Sequence, residues 1–255
     1  MSLIKYSIVI PIYNTYKFLD RLIESIPRRN DLELIFVDDS ENKNINYIND
    51  RADASGLNFK VLYNNKNMGV TYSRNKGYLN SKGDYIIFLD SDDVLLDDAI
   101  DKIDKQLEKE ICDVYLFRVC DENNLLVGKR LTSEIKYNNS VEFLSSYGIG
   151  ECLVVVKKHN GILPFLGILK GHELCGLFIF LRQLDHGSAL LSGDIVRMYY
   201  QDNHYSLSKK NNFKKRFRAI ALGHYIIFSR LMKSKHILLS VPWLIKAIVR
   251  FVQSR

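Results

Sequence analysis

Along the first hundred residues, short apolar runs alternate with longer stretches of mixed polarity. Residues 7–10, 34–37, 59–63 and 85–89 are continuous β-type runs. Each is followed by a stretch with helical spacing, at 16–25, 45–53, 70–80 and 97–108. Strand, helix, strand, helix predicts an α/β fold, with a mostly parallel sheet and helices on both faces. Further on, strands are expected at 114–119, 125–127 and 153–156, and a helix at 174–184.

Polar signals fall at the ends of these strands. Pro11-Ile12-Tyr13-Asn14 follows the first, Asp38-Asp39-Ser40 the second and Asp90-Ser91-Asp92-Asp93 the fourth. In such sheets ligands bind beyond the carboxyl ends of the strands, so three strand ends are expected to converge on one crevice. The acidic group raises an electrostatic question, because like charges this close repel. Two carboxylates one residue apart can share a hard divalent cation, Mg²⁺ or Mn²⁺, completed by substrate phosphates. Alternatively, Asp92 or Asp93 caps the following helix. A second string, NNKNMGVTYSRNKG, leads a glycine-containing loop into a helix that carries Arg74 and Asn75. A guanidinium there can meet a diphosphate through paired hydrogen bonds, or it is a surface arginine behind a glycine turn.

Taken in order, SIVIPIYN, IFVDDS, the NNKNMGVTYSRNKG string and DYIIFLDSDD resemble the family 2 glycosyltransferases of the GT-A fold. The resemblance is strong over about residues 4–100, weak to about 208 and absent beyond. It implies a Rossmann-like mixed sheet and transfer of a sugar from a nucleoside-diphosphate donor, with inversion at the anomeric carbon. By position, Pro11 and Tyr13 resemble the residues lining the nucleobase, and Asp39, with Asp38 beside it, the acid that reads the base edge. Arg74 matches the donor-contacting arginine. Asp90, with Ser91 next to it, resembles the aspartate on the ribose and metal side, and Asp92 the direct metal ligand. The family's catalytic base comes from a Gly-Glu-Asp stretch before a helix, where this chain reads Gly171-His172-Glu173. Glu173 is therefore the expected base and His172 its neighbour or substitute; the other reading is a helix start with an acid in its first turn. In YYQDNHYSLS, His204 either reaches the diphosphate or metal or is a loop histidine.

Composition adds a boundary. The 255 residues carry a net charge of +7, yet the last acidic residue is Asp202, and from Lys209 to Arg255 twelve Lys or Arg face no Asp or Glu. The remaining 24 basic residues are outnumbered by 29 acidic ones. The chain is thus expected to divide into a nucleotide-sugar half (1–100), an acceptor half (101–210) and a basic, helical, amphipathic extension (211–255). Residues 237–252 are too short for a bilayer span of ~20 residues. They either lie in the headgroup region or pack on the catalytic domain. No RNA-binding motif accompanies the basic residues, so nucleic acid is not an expected partner.

The cysteines Cys112, Cys120, Cys152 and Cys175 form no C-x-x-C pair and are expected to be reduced thiols. Pro11 and Asn14 interrupt the first apolar run too early for a signal peptide, which predicts a cytoplasmic enzyme, peripheral on the inner face of the membrane. The expectation is a metal-dependent hexosyltransferase, using uridine diphosphate among the nucleotides, that extends a polyprenyl-diphosphate-linked saccharide in surface polysaccharide or O-antigen synthesis. Two rivals stand beside it: a nucleotidyltransferase on a similar sheet, and a silent nucleotide-binding module.

Overall fold

The computed structural model describes residues 4–145, 150–159, 161–165, 187–200, 202 and 217–254. Four parallel strands open the sheet: β1 (Tyr6–Ile12), β2 (Leu32–Asp38), β3 (Phe59–Tyr63) and β4 (Tyr85–Phe88). The short β5 (Val94–Leu95) follows, then β6 (Val114–Asp121), β7 (Ile135–Tyr137), β8 (Cys152–Lys157) and β9 (Ala189–Tyr199). Their order across the sheet is β3-β2-β1-β4-β8-β6-β9-β5, with β7 paired to β9. β8 runs antiparallel to both β4 and β6, whereas β6 and β9 are parallel. The sheet is therefore mixed, with the parallel half at the first strands, as expected.

Alternation along β1 explains the layering. Tyr6, Ile8, Ile10 and Ile12 join one apolar cluster, with α1 (Leu19–Glu24), α2 (Ile45–Ser55) and α4 (Ala99–Lys109) contributing Leu22, Ile48 and Ile103. Val9 joins the other, with Tyr78 from α3 (Val70–Asn80), Phe143 from α5 (Ser140–Ser145), and Ile227 and Trp243 from α6 (Phe217–Lys233) and α7 (Ile237–Val252). A period of two on the strand thus feeds both faces.

The stretch 16–25 is helical in two pieces, a 3₁₀ turn at Tyr16–Phe18 running into α1. Residues 125–127 form no strand; only Cys120 and Leu126 make an isolated bridge. Two backbone hydrogen bonds to β6 frame that bridge, Asp121 N to the Leu125 carbonyl (2.8 Å) and Val127 N to the Val119 carbonyl (2.9 Å). Beyond it the carbonyls of Val127 (3.2 Å) and Lys129 (2.9 Å) accept from the guanidinium of Arg118, buried on β6, so they satisfy a buried charge and do not extend the ladder. The expected helix 174–184 lies outside the described residues, as does Cys175; Cys112, Cys120 and Cys152 are free thiols.

Candidate active site

The loops after β1, β2 and β4 are tied together at the carboxyl rim. The amide of Asn14, held at φ 56°, donates to Ser40 Oγ (2.9 Å), and the Asp39 amide donates to the Ile12 carbonyl (2.8 Å). Thr15 Oγ1 and Ser91 Oγ share a hydrogen bond of 2.6 Å, which joins the β1 loop to the acidic loop. Three strand ends thus meet, as their sequence positions imply.

Asp38 and Asp39 are both buried and engaged. Asp38 accepts from Tyr16 Oη (2.8 Å) and from the Ser40 amide (3.0 Å). Burial, followed by lesser effects that include the neighbouring Asp38, raises the Tyr16 phenol. Asp39 accepts from Asn64 Nδ2 (2.9 Å) and from the amides of Met68 and Gly69 (2.7 Å each). Its carboxylate sits at the N-terminus of α3, where the helix presents unpaired amides and partial positive charge. Gly69, at φ 89°, allows the chain to turn into that helix. Pro11 lies on β1 opposite Val37, and Pro11 and Tyr13 are half-buried.

α3 carries Arg74 to the acidic loop, where its Nη2 pairs with Asp90 Oδ1. Next to it, Asn75 exchanges two hydrogen bonds with the Phe165 backbone, Nδ2 to O (2.9 Å) and N to Oδ1 (3.1 Å). The Phe165 ring is packed edge-on to Phe88 and lies 5.5 Å from the Arg74 guanidinium. This fixes the arginine from below, so Arg74 and Asn75 act as one unit.

Sequence reasoning missed Arg197. It projects from β9, is 3% exposed and lies 3.3 Å from Asp93 and 3.9 Å from Asp90, while its Nη2 contacts Glu151 at 3.0 Å. Burial alone would lower its pKa, but Asp93, Glu151 and Asp90 outweigh it and keep the guanidinium charged. For Asp90, burial pushes upward and the two arginines, Arg74 first, hold the carboxyl below its ordinary range. Asp93 is pushed up by burial, against the pull of Arg197, and accepts from the Tyr200 amide (3.2 Å). The electrostatic question has an answer within the chain: two arginines offset the clustered acids. A basic residue inside the apolar string IVRMYY was the available signal.

Arg21 is a second brace. Its guanidinium makes a forked pair with Asp202 (2.9 and 3.0 Å), stacks over Tyr200 and donates to the Asp92 carbonyl. This contact holds the Asp92 backbone and leaves its carboxylate half-buried at the rim. Glu173, His172 and His204 lie outside the described residues.

A mixed sheet with acids at its carboxyl rim and an arginine-bearing helix beside them is the layout of the GT-A fold. The chain belongs to glycosyl transferase family 2, whose sequence model matches residues 7–156. It is 28% identical over 197 residues to the UDP-Glc:alpha-D-GlcNAc-diphosphoundecaprenol beta-1,3-glucosyltransferase WfgD of Escherichia coli, covering 76% of both chains. Its likeness to the glycosyltransferase GlyG of Streptococcus pneumoniae is 32% over 112 residues, 43% of this chain and 37% of GlyG. The chain spans 37%, 42% and 36% of the first curated relatives that it matches. Among solved structures, Staphylococcus aureus TarS 1–349 in complex with UDP-GlcNAc has a TM-score of 0.67 at 20% identity, over 86% of this chain and 66% of that one. GalNAc-T7 with UDP, GalNAc and Mn²⁺ has a TM-score of 0.58 at 15% identity, over 86% and 48%.

Proposed function

We propose that this chain is an inverting glycosyltransferase that moves a sugar from a UDP-sugar to a hydroxyl of a lipid-linked saccharide, at the inner face of the membrane. The observation that carries the reading is the acidic rim balanced by Arg74 and Arg197, a polar site built for an anionic ligand that brings its own countercharge. The likeness to WfgD supports the acceptor class, and the fold shared with UDP-sugar complexes supports the donor.

In this reading residues 1–100 hold the donor and 101–210 the acceptor. Pro11, Tyr13, Asp38 and Asp39 flank the nucleobase, and Arg74, Asp90 and Ser91 face the ribose and diphosphate. The donor chemistry of the rim fits a hard divalent ion, Mn²⁺ or Mg²⁺, because carboxylate oxygens stand there and such ions need few protein ligands beside phosphate. Asp92, with Asp90 and His204, would hold it. When bound, it supplies Lewis acidity toward the diphosphate. Among the described residues there is no group of three or more potential ligands.

Arg74 carries the chain's own electrostatic contribution: charge grows on the diphosphate as the glycosidic bond breaks, and a guanidinium stabilises it. To meet the phosphate, Arg74 exchanges its partner Asp90 for the ligand. Glu173 takes the acceptor proton, with His172 as its alternative.

The test is nucleotide release across a panel of UDP-sugars with saccharide-lipid acceptors, with Mn²⁺ and with chelator. Asp92→Ala is expected to abolish release while leaving the melting temperature unchanged. Turnover indifferent to that change sinks the assignment. Diphosphate release from a nucleoside triphosphate indicates a nucleotidyltransferase instead, and donor binding without turnover, unaffected by Glu173→Gln, a binding module.

A further inference from the structure

The helical hairpin at the end of the chain has an outer face that the catalytic reading does not use. Helix α7 buries Ser240, Trp243 and Ala247 on one side. On the opposite side Leu238, Val241, Ile245, Ile248, Val249 and Val252 are all exposed, Leu238 at 91%. At about 100° per residue these six positions fall within one stripe roughly 100° wide, directed away from the buried face, and the stripe runs ~21 Å along the axis. The helix therefore has two apolar faces. One is spent on the fold.

Charge says what the other meets. Exposed Lys233 and Lys235 stand at the hairpin turn, Lys246 lies between the stripe and the buried face, Arg250 turns back onto the Phe217 ring (5.0 Å), and no acidic residue occurs anywhere from Lys209 to Arg255. An exposed apolar stripe on a hairpin whose charged side chains are all cationic is complementary to an anionic lipid surface, into which the aliphatic side chains sink while the lysines at the turn meet phosphates. Lys246, half-buried, turns its ammonium to 4.4 Å from the ring of buried Trp243, which leaves Lys233 and Lys235 as the exposed cations at the hairpin turn. Spanning is not at issue: α7 has 16 residues, and among the described residues no helix is long and apolar enough to cross a membrane.

We propose that the outer stripe of α7 docks the protein on anionic phospholipid, lying in the headgroup plane. This deepens the membrane-side placement proposed above and rests on it for its purpose, though it is read out without catalysis.

The experiment is co-sedimentation of the full chain with vesicles of phosphatidylcholine alone or with phosphatidylglycerol, together with analytical ultracentrifugation without lipid. Binding is expected to the phosphatidylglycerol vesicles, to weaken with salt as surface charges are screened, and to fall on the order of tenfold or more in the double variant Ile245→Asp/Ile248→Asp. Both side chains are more than half exposed, so the variant should fold. Lys233→Glu/Lys235→Glu should weaken binding to anionic vesicles while leaving phosphatidylcholine unchanged. Failure of the wild-type chain to bind either vesicle overturns the proposal, as does binding that survives Ile245→Asp/Ile248→Asp. A wild-type dimer that the same variant turns into monomers also overturns it, showing that the stripe joins two copies. Loss of transferase activity alongside intact vesicle binding counts against the catalytic reading alone.

Discussion

Arg197 concentrates the electrostatics of the site in one side chain. It and Asp93 are almost fully buried, at 3% and 1% exposure, so water contributes little to either charge. Truncating one partner of such a pair leaves the other uncompensated, and Arg197→Ala is expected to cost about 3–5 kcal/mol. Adding Asp93→Asn should return part of that loss, because the stranded carboxylate is gone. Urea unfolding of the two single variants, the double variant and the wild type measures the coupling; strict additivity would show that the ion pair is not the source. The sign with pH follows from Asp93. Its folded pKa is raised, so the native state holds a proton more tightly than the unfolded chain, and stability is lost as pH rises from the ordinary value of 3.8 through the folded one. Without Arg197 that loss should extend to higher pH, because the guanidinium no longer pulls the carboxyl down.

Helix α3 shows how an element places a residue. Its buried positions are Thr71, Ser73, Asn75, Gly77 and Tyr78, so apart from Tyr78 it approaches the sheet through small and polar groups. A methyl group on Gly77 would stand 2.3 Å from Val9 Cγ1 and 3.3 Å from Val37 Cγ2. Gly77→Ala should therefore lift α3 off β1, costing about 1–3 kcal/mol as an overpacked contact. Since Arg74 lies one turn earlier, UDP affinity should fall as well. Val9→Ala removes the clashing methyl, so calorimetry and thermal unfolding of Gly77→Ala/Val9→Ala should show less damage than the sum of the single changes. The bounds of α3 were legible, because the loop residues before it and the spacing within it are local signals. The reason for Gly77 was not, since it depends on a strand nearly seventy residues away. β9 was illegible for a related reason: exposed Gly193 and half-buried Asp194 interrupt its apolar pattern, and its pairing with β6, β5 and β7 is wholly long-range. Arg197 was hidden with it.

Across the whole molecule, the strand ends divide the labour. The carboxyl rim gathers the acids and arginines of the candidate site, whereas the opposite end of the strands is closed by an ionic cluster. There Asp104 of α4 pairs with Lys5, accepts from Tyr6 Oη (2.6 Å) and pairs with Arg29 (2.7 Å), which also holds Asp31. Lys5 and Asp31 immediately precede β1 and β2, so one carboxylate fastens α4 to the start of the parallel sheet. Burial would raise the Asp104 carboxyl, but Lys5, Tyr6 and Arg29 together lower it, and the hydrogen bond from Arg29 lowers Asp31. Both folded values lie below the ordinary 3.8. Their contribution to stability is therefore present above that pH and is lost as pH falls through the folded values. Asp104→Asn keeps an acceptor but removes the charge, and is expected to cost about 1–3 kcal/mol at neutral pH. The penalty should shrink on acidification, since the wild-type carboxylate is neutralised as well. Denaturant unfolding from pH 7 downward reads the convergence of the two stability curves, and UDP titration at pH 7 should give the same affinity for both chains. A penalty constant with pH would mean that Asp104 acts by packing and not by charge, while a fall in UDP affinity would mean that the two ends of the sheet are coupled.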